Sequence, residues 1–285
     1  MVSQGVLMTL LGLTAVFGIV PLIAAIVLLA TKKLKGSAFW SGVGIAVIAS
    51  IIGSVVSLIA AGISGITITT DGPVWILALQ QGVIAAADVL FILLFFKAVL
   101  KKSVNFKGAV SLAAGYGAVN LLTYAMSMIS YYSTAAMINN GQFDAIYSAS
   151  IQMGAISKET VIELKNQIIS LSVPELLMFI PNCAAVILMI ASVAVFIVKG
   201  VSNKKVLPDL GIAFALHLAV VLFATLIPNT YAAVAVMLVL SVAAWIYAYR
   251  VRSDIKEPEP PKPADDSFMQ TIESAKQDSS NPYEE

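Results

Sequence analysis

Cysteine and histidine each occur once in this 285-residue chain, and that scarcity removes several kinds of chemistry at the outset. A single thiol, Cys183, can form neither an internal disulfide nor a cysteine-based metal cluster. A single imidazole, His217, cannot build the ordinary two-histidine zinc site, and no HExxH helix is present. Phosphate-cradling loops of the GxxxxGK[ST] type and GxGxxG turns are missing, so nucleotide binding has no signature. Charge is scarce too, at 12% of residues. The lysines and arginines sit at the edges of apolar runs, where membrane topology already accounts for them, so nucleic-acid binding has no support.

What the chain has instead is hydrocarbon. It is 59% hydrophobic, with a mean hydropathy of +0.92. Seven apolar stretches, at roughly 6–31, 39–63, 75–97, 108–130, 173–198, 207–227 and 229–249, each approach or exceed the length a helix needs to cross a bilayer, about 20 residues. Within lipid each backbone amide must be satisfied in its own segment, so the spans are expected to be helical. The fold class predicted is all-α: a polytopic bundle of about seven transmembrane helices. Met1–Gly5 carries no basic residue and the run that follows is far longer than a signal core, so it is expected to stay as a span, kinked at Pro21.

Basic residues alternate between connections. Lys32, Lys33 and Lys35 follow the first span, Lys97, Lys101, Lys102 and Lys107 the third, Lys199, Lys204 and Lys205 the fifth, and Arg250 and Arg252 the last. The second and sixth connections have no Lys or Arg, and the fourth only Lys158 and Lys165. By the positive-inside rule the N-terminus lies outside and the C-terminus in the cytoplasm.

Residues 1–252 thus form the membrane bundle, carrying an extracytoplasmic connection at about 131–172. In its later part Ser157 can cap a helix whose Val161, Leu164 and Ile168 share a face, as suits an amphipathic helix on the membrane surface or a lid over the bundle. Residues 253–285 read as a disordered, proline-rich acidic cytoplasmic tail. Nine carboxylates there face three lysines, a net of −6, against +7 for residues 1–252. Small residues at Gly42, Ala46, Gly53, Ser57 and Ala61 in the second span, and Ser111, Gly115 and Ala118 in the fourth, mark packing seams.

Polar groups within hydrocarbon are costly and therefore candidate sites. Counting 1.5 Å per residue from the span edges, Asp88, Tyr116, Asn120, Cys183 and His217 fall near one depth on four helices, with Asn182 beside Cys183. Glu175 lies nearer the outer end of the fifth span. An Asp88–His217 contact is expected, either as a site or as a polar plug locking two helices.

The order of these features resembles the YhfC-like family, whose members are predicted intramembrane metalloproteases. The similarity covers roughly 5–250 in span order, loop lengths and motif placement. The family's third span carries a glycine followed by EExxR, and its fourth carries GHGGxE. Its fifth opens with an ER pair followed two turns later by a histidine, and its sixth has a mid-span histidine. Here Gly82-Val83-Ile84-Ala85-Ala86-Ala87-Asp88-Val89 resembles the first motif, with alanines for the glutamates and Val89 for the arginine. Gly115-Tyr116-Gly117-Ala118-Val119-Asn120 resembles the second, with tyrosine for histidine and asparagine for glutamate. Glu175 matches, but Leu176 stands for arginine and Cys183 for histidine, and His217 matches the last motif.

The resemblance implies the bundle and a bacterial plasma membrane location, while the replaced residues argue against peptidase chemistry. The leading expectation is a non-catalytic membrane scaffold or binding partner for another membrane protein or peptide, with the lipid bilayer around it and no cofactor. A divergent metallopeptidase would need zinc on His217, Asp88 and Cys183. A small-solute transporter would use Asp88 and His217 as a proton-coupled pair, but no inverted repeat or paired broken helices are evident in the sequence.

Overall fold

A computed structural model describes residues 1–64, 74–154 and 156–256. Among them the chain is helical without strands, and seven helical segments are long and apolar enough to cross a membrane. The acidic tail beyond residue 256 and the side chains of Ser57 and Ala61 lie outside what is described.

The first span is not one uniform rod. Its first helix, α1 (Gln4–Thr14), starts at Ser3, whose hydroxyl accepts from the Val6 amide at 3.3 Å. It widens into a π turn at Ala15–Ile19 and continues as α2 (Val20–Ala30). Pro21 explains the widening: it offers no amide to Phe17 and its ring would crowd that carbonyl, so the helix loosens just ahead of it. Val6, Leu10, Leu13 and Phe17 are buried, whereas α2 buries nothing.

Spans two to four are α3 (Gly36–Ser64), α4 (Val74–Ala98) and α5 (Phe106–Asn139). A methyl group at Gly42 would run into the carbonyl of Leu112, and one at Gly115 into that of Phe39. Backbone therefore meets backbone where α3 crosses α5, as the small-residue seams predict. At 34 residues α5 is about 50 Å long, well beyond the bilayer's apolar core of about 30 Å.

The stretch 131–172 is consequently mostly helix. Beyond the end of α5 come α6 (Phe143–Gln152) and α7 (Lys158–Ser170), the latter capped by Ser157 as expected. Val161 and Ile168 are buried, and Ile168 and Leu164 pack with α1 and α5 residues. The apolar face of α7 is thus spent on the bundle. Lys165 bonds Asp144 at 2.7 Å and ties α7 to α6, a surface pair worth at most about 1 kcal/mol.

The fifth span is irregular as well. A single turn, α8 (Val173–Leu177), precedes α9 (Phe179–Ser202), and Pro181 accounts for the interruption at Met178. Span one thus carries a π turn within a continuous helix, and span five a break at Met178. The two irregularities flank Tyr124, whose ring lies 6.0 Å from Phe17 and 5.5 Å from Phe179. The last spans are α10 (Val206–Leu226) and α11 (Thr230–Arg250).

From Met189 to Val198 every residue of α9 is buried, so this helix is surrounded on all sides by α4, α5, α10 and α11. At one end of the bundle the lysine-rich connections converge. Lys107 Nζ donates to the Lys32 carbonyl at 2.7 Å, and Asn203 Nδ2 to the Asp254 carbonyl at 2.9 Å. At the opposite end Asn139 fastens the N-terminus, accepting from the Val2 amide at 2.7 Å and donating to its carbonyl at 2.9 Å.

Candidate functional site

Three of the predicted polar residues meet inside the bundle. Asp88 on α4 is 1% exposed, Tyr116 on α5 is 8% and His217 on α10 is 6%. The Tyr116 hydroxyl donates to the Asp88 carboxylate, lying 3.1 Å from each of its oxygens. His217 Nε2 is 3.8 Å from Asp88 Oδ2, too long for a direct hydrogen bond but close enough for the two groups to feel each other. One hydroxyl satisfies only part of a carboxylate's accepting capacity, so Asp88 can still accept from His217 through a small shift or a bridging water. His217 Nδ1 is buried without a partner.

Asn120, one turn beyond Tyr116, donates back to the Tyr116 carbonyl at 3.3 Å. It therefore borders the cluster without bonding to Asp88 or His217. Ala85 and Val89, which flank Asp88 on α4, are buried and apolar.

Glu175 and Cys183 lie elsewhere. Glu175 closes a capping box at the start of α8, its Oε2 accepting from the Ser172 amide at 2.9 Å and the Ser172 hydroxyl at 2.7 Å. That arrangement satisfies the N-terminal amides of a helix and leaves the carboxylate occupied. Cys183 is buried in the second apolar cluster, with Phe17, Ala125 and Leu176. Equal depth does not place it beside Asp88, because α9 turns it toward spans one and four.

Sequence reasoning did not single out Tyr124. Its hydroxyl accepts from Asn182 Nδ2 at 2.9 Å, forming a second polar pair between α5 and α9. The signal was available: Tyr116, Asn120 and Tyr124 recur every four residues and so share a helix face. Asp209 was also passed over, and it pairs with Lys199 at 3.1 Å where α9 and α10 adjoin.

A catalytic zinc needs about three protein ligands. The set His217, Asp88 and Cys183 does not assemble, and among the described residues no three of His, Cys, Asp and Glu lie close enough to hold one ion. These three side chains, as placed, cannot share one zinc ion. What the cluster can do is lock three spans together and hold a proton between a carboxylate and an imidazole. Comparisons with protein-family models, curated proteins and solved structures returned no match.

Proposed function

We propose that this protein is a non-catalytic membrane scaffold or binding partner with a YhfC-like bundle, taking a transmembrane segment of another membrane protein or peptide. The observation that carries the reading is the dispersal of the groups intramembrane hydrolysis would need. Glu175 caps a helix, Cys183 fills an apolar core, and Asp88 is held by a tyrosine. Among the described residues no second carboxylate joins Asp88 and His217 to activate water for hydrolysis.

A surface suited to binding lies along the lipid side of the α3–α5 seam. Ser50, Ser54 and Thr123 line a shallow concavity there with Val47, Ile51 and Val119. Each hydroxyl donates to the carbonyl four residues back and keeps accepting capacity toward the bilayer. Short side chains and hydroxyls are what membrane helices pack against. The concentration of lysines at one end supports an N-terminus outside and a C-terminus in the cytoplasm.

Photo-crosslinking residues at Ser54 and Thr123 test this in native membranes. A discrete protein adduct at both positions is expected, with none from Val239, which is 66% exposed on α11. Lipid adducts alone at all three positions would count against a partner helix. Stoichiometric zinc on the purified protein, lost with His217→Ala, would restore the divergent metallopeptidase.

A second reading, a proton-coupled small-solute transporter, is favoured by His217, whose Nε2 faces Asp88 at 3.8 Å while its buried Nδ1 has no partner. Its test is pH-dependent flux in proteoliposomes that disappears in Asp88→Asn.

A further inference from the structure

The second half of the first span packs only lightly on the rest of the bundle. Among the eleven residues of α2 none is buried, although all lie in a helix expected to cross hydrocarbon. Between α2, α3 and α5 a slot of about 190 Å³ remains open, walled by apolar side chains including Ala25, Ile26, Leu29, Trp40, Val43 and Leu122. A helix is about 10–12 Å across with its side chains, far too wide for such a slot. A single extended hydrocarbon chain is the occupant whose cross-section suits it.

The charge at the slot's mouth is of one sign. Leu29 precedes Lys32 and Lys33 by about one turn, and Lys35 precedes Trp40 by little more than one turn of α3. The connection that follows α4 brings Lys101, Lys102 and Lys107 to the same place. Lys107 Nζ donates to the Lys32 carbonyl at 2.7 Å, Lys35 Nζ to the Lys102 carbonyl at 3.4 Å, and the Lys35 amide to Ser111 Oγ at 2.9 Å. Stretches 29–43 and 97–122 together hold seven lysines and no aspartate or glutamate. The positive-inside rule explains lysines at this end of the bundle, but not their gathering from two connections over one apolar slot.

We infer that this slot is a binding site for an anionic phospholipid, with one acyl chain between α2, α3 and α5 and the phosphate on Lys33, Lys102 and Lys107. The headgroup receives donors from ammonium groups that are exposed at the bundle edge. The chain supplies the contacts that α2 lacks. Trp40, 65% exposed at the slot, sits where an indole ring marks the boundary between headgroups and hydrocarbon. The site goes beyond the partner-helix reading and does not depend on it: the two surfaces share Val119 and otherwise have different linings.

Trp40 also reports on the site. With Trp75→Phe and Trp245→Phe leaving Trp40 as the sole indole, quenching by brominated phosphatidylglycerol is compared with quenching by brominated phosphatidylcholine in mixed bilayers. A preference of at least about tenfold for the anionic lipid is expected, weakening with added salt. It should fall to near one with Lys33→Gln, Lys102→Gln and Lys107→Gln combined. Ala25→Phe, which narrows the slot, should abolish it with every lysine in place.

Three results would overturn the inference. Equal quenching by both lipids would leave no anionic site. A preference that survives Ala25→Phe would mean diffuse attraction to a basic surface. Displacement by inorganic phosphate at matched ionic strength would mean a site for a soluble anion. Should the triple lysine variant fail to fold, Ala25→Phe alone still decides.

Discussion

Spans one and five are nearly equal in length and hydropathy, yet they occupy opposite situations. Gln4–Ala30 has a mean hydropathy of 2.7 and Val173–Ser202 one of 2.5 in their most apolar windows, but 11% of the first window is buried against 67% of the second. Hydropathy reports that a helix crosses the bilayer and says nothing of its rank within the bundle, because lipid tails and protein interior are equally apolar. Side-chain size separates the two better. The fifth span carries Ala191-Ser192-Val193-Ala194-Val195, whose short side chains let four neighbours close in, while α2 carries Leu22, Ile23, Ile26 and Val27 facing outward.

The largest expected effect tests that ranking directly. Phe196 is fully buried, so Phe196→Ala should lower stability by about 3–4 kcal/mol. Ile26, at 58% exposed on α2, should lose less than about 0.5 kcal/mol on the same change. Thermal unfolding of both variants in one detergent makes the measurement. Equal losses would mean that span one packs far more closely than its exposed side chains indicate.

Asn139 comes next, because it bonds both backbone groups of Val2. Asn139→Ala removes two hydrogen bonds worth about 1 kcal/mol each. Hydrogen exchange should quicken by roughly tenfold or more across 4–14 and stay unchanged across 189–198. Faster exchange in both regions would erase the distinction between a peripheral and a central span.

The polar cluster belongs to the spans that wrap α9, and its effect is smaller. Asp88→Ala and His217→Ala should each cost about 1 kcal/mol, in keeping with hydrogen bonds inside membrane bundles. If the two residues are coupled across 3.8 Å, the double variant should be little worse than the worse single one. Strictly additive losses would make Tyr116 the only effective partner of Asp88.

Much of this arrangement could be read from residue order. The seven spans, the α3–α5 seam at Gly42 and Gly115, and the meeting of Asp88, Tyr116 and His217 follow from hydropathy, residue size and depth. Depth is only one of three coordinates, however. Cys183 shares a level with Asp88 but points to the other core cluster, and no count of residues gives the rotation of a helix against its neighbours. Glu175 was legible as a cap from Ser172, three positions earlier, since a serine followed at that spacing by a glutamate marks a helix start. The extension of α5 to Asn139 escaped because Tyr131, Tyr132, Ser133 and Thr134 lower the hydropathy while the helix continues.

The smallest effect concerns how spans one and five end, for there they are alike. After α2, Lys32 adopts a left-handed φ of 54°, with its amide bonded to Leu29 and that of Lys33 to Leu28. After α9, Lys204 does the same at φ 58°, its amide bonded to Val201 and that of Lys205 to Gly200. At the far end of the bundle α5 closes with the identical pattern, but Gly141 holds the left-handed position at φ 69°. Glycine is the residue that suits this conformation, and an L side chain there costs about 1 kcal/mol. Lysine at both basic ends therefore sacrifices backbone comfort for charge. Lys32→Gly and Lys204→Gly should each raise stability in zwitterionic detergent by about 0.5–1 kcal/mol, and Gly141→Ala should lower it by a similar amount. In bilayers containing anionic lipid the gain from Lys32→Gly should shrink relative to that from Lys204→Gly, because only Lys32 borders the slot beside α2. Equal gains in both environments would leave the two ends alike in chemistry as well as in backbone.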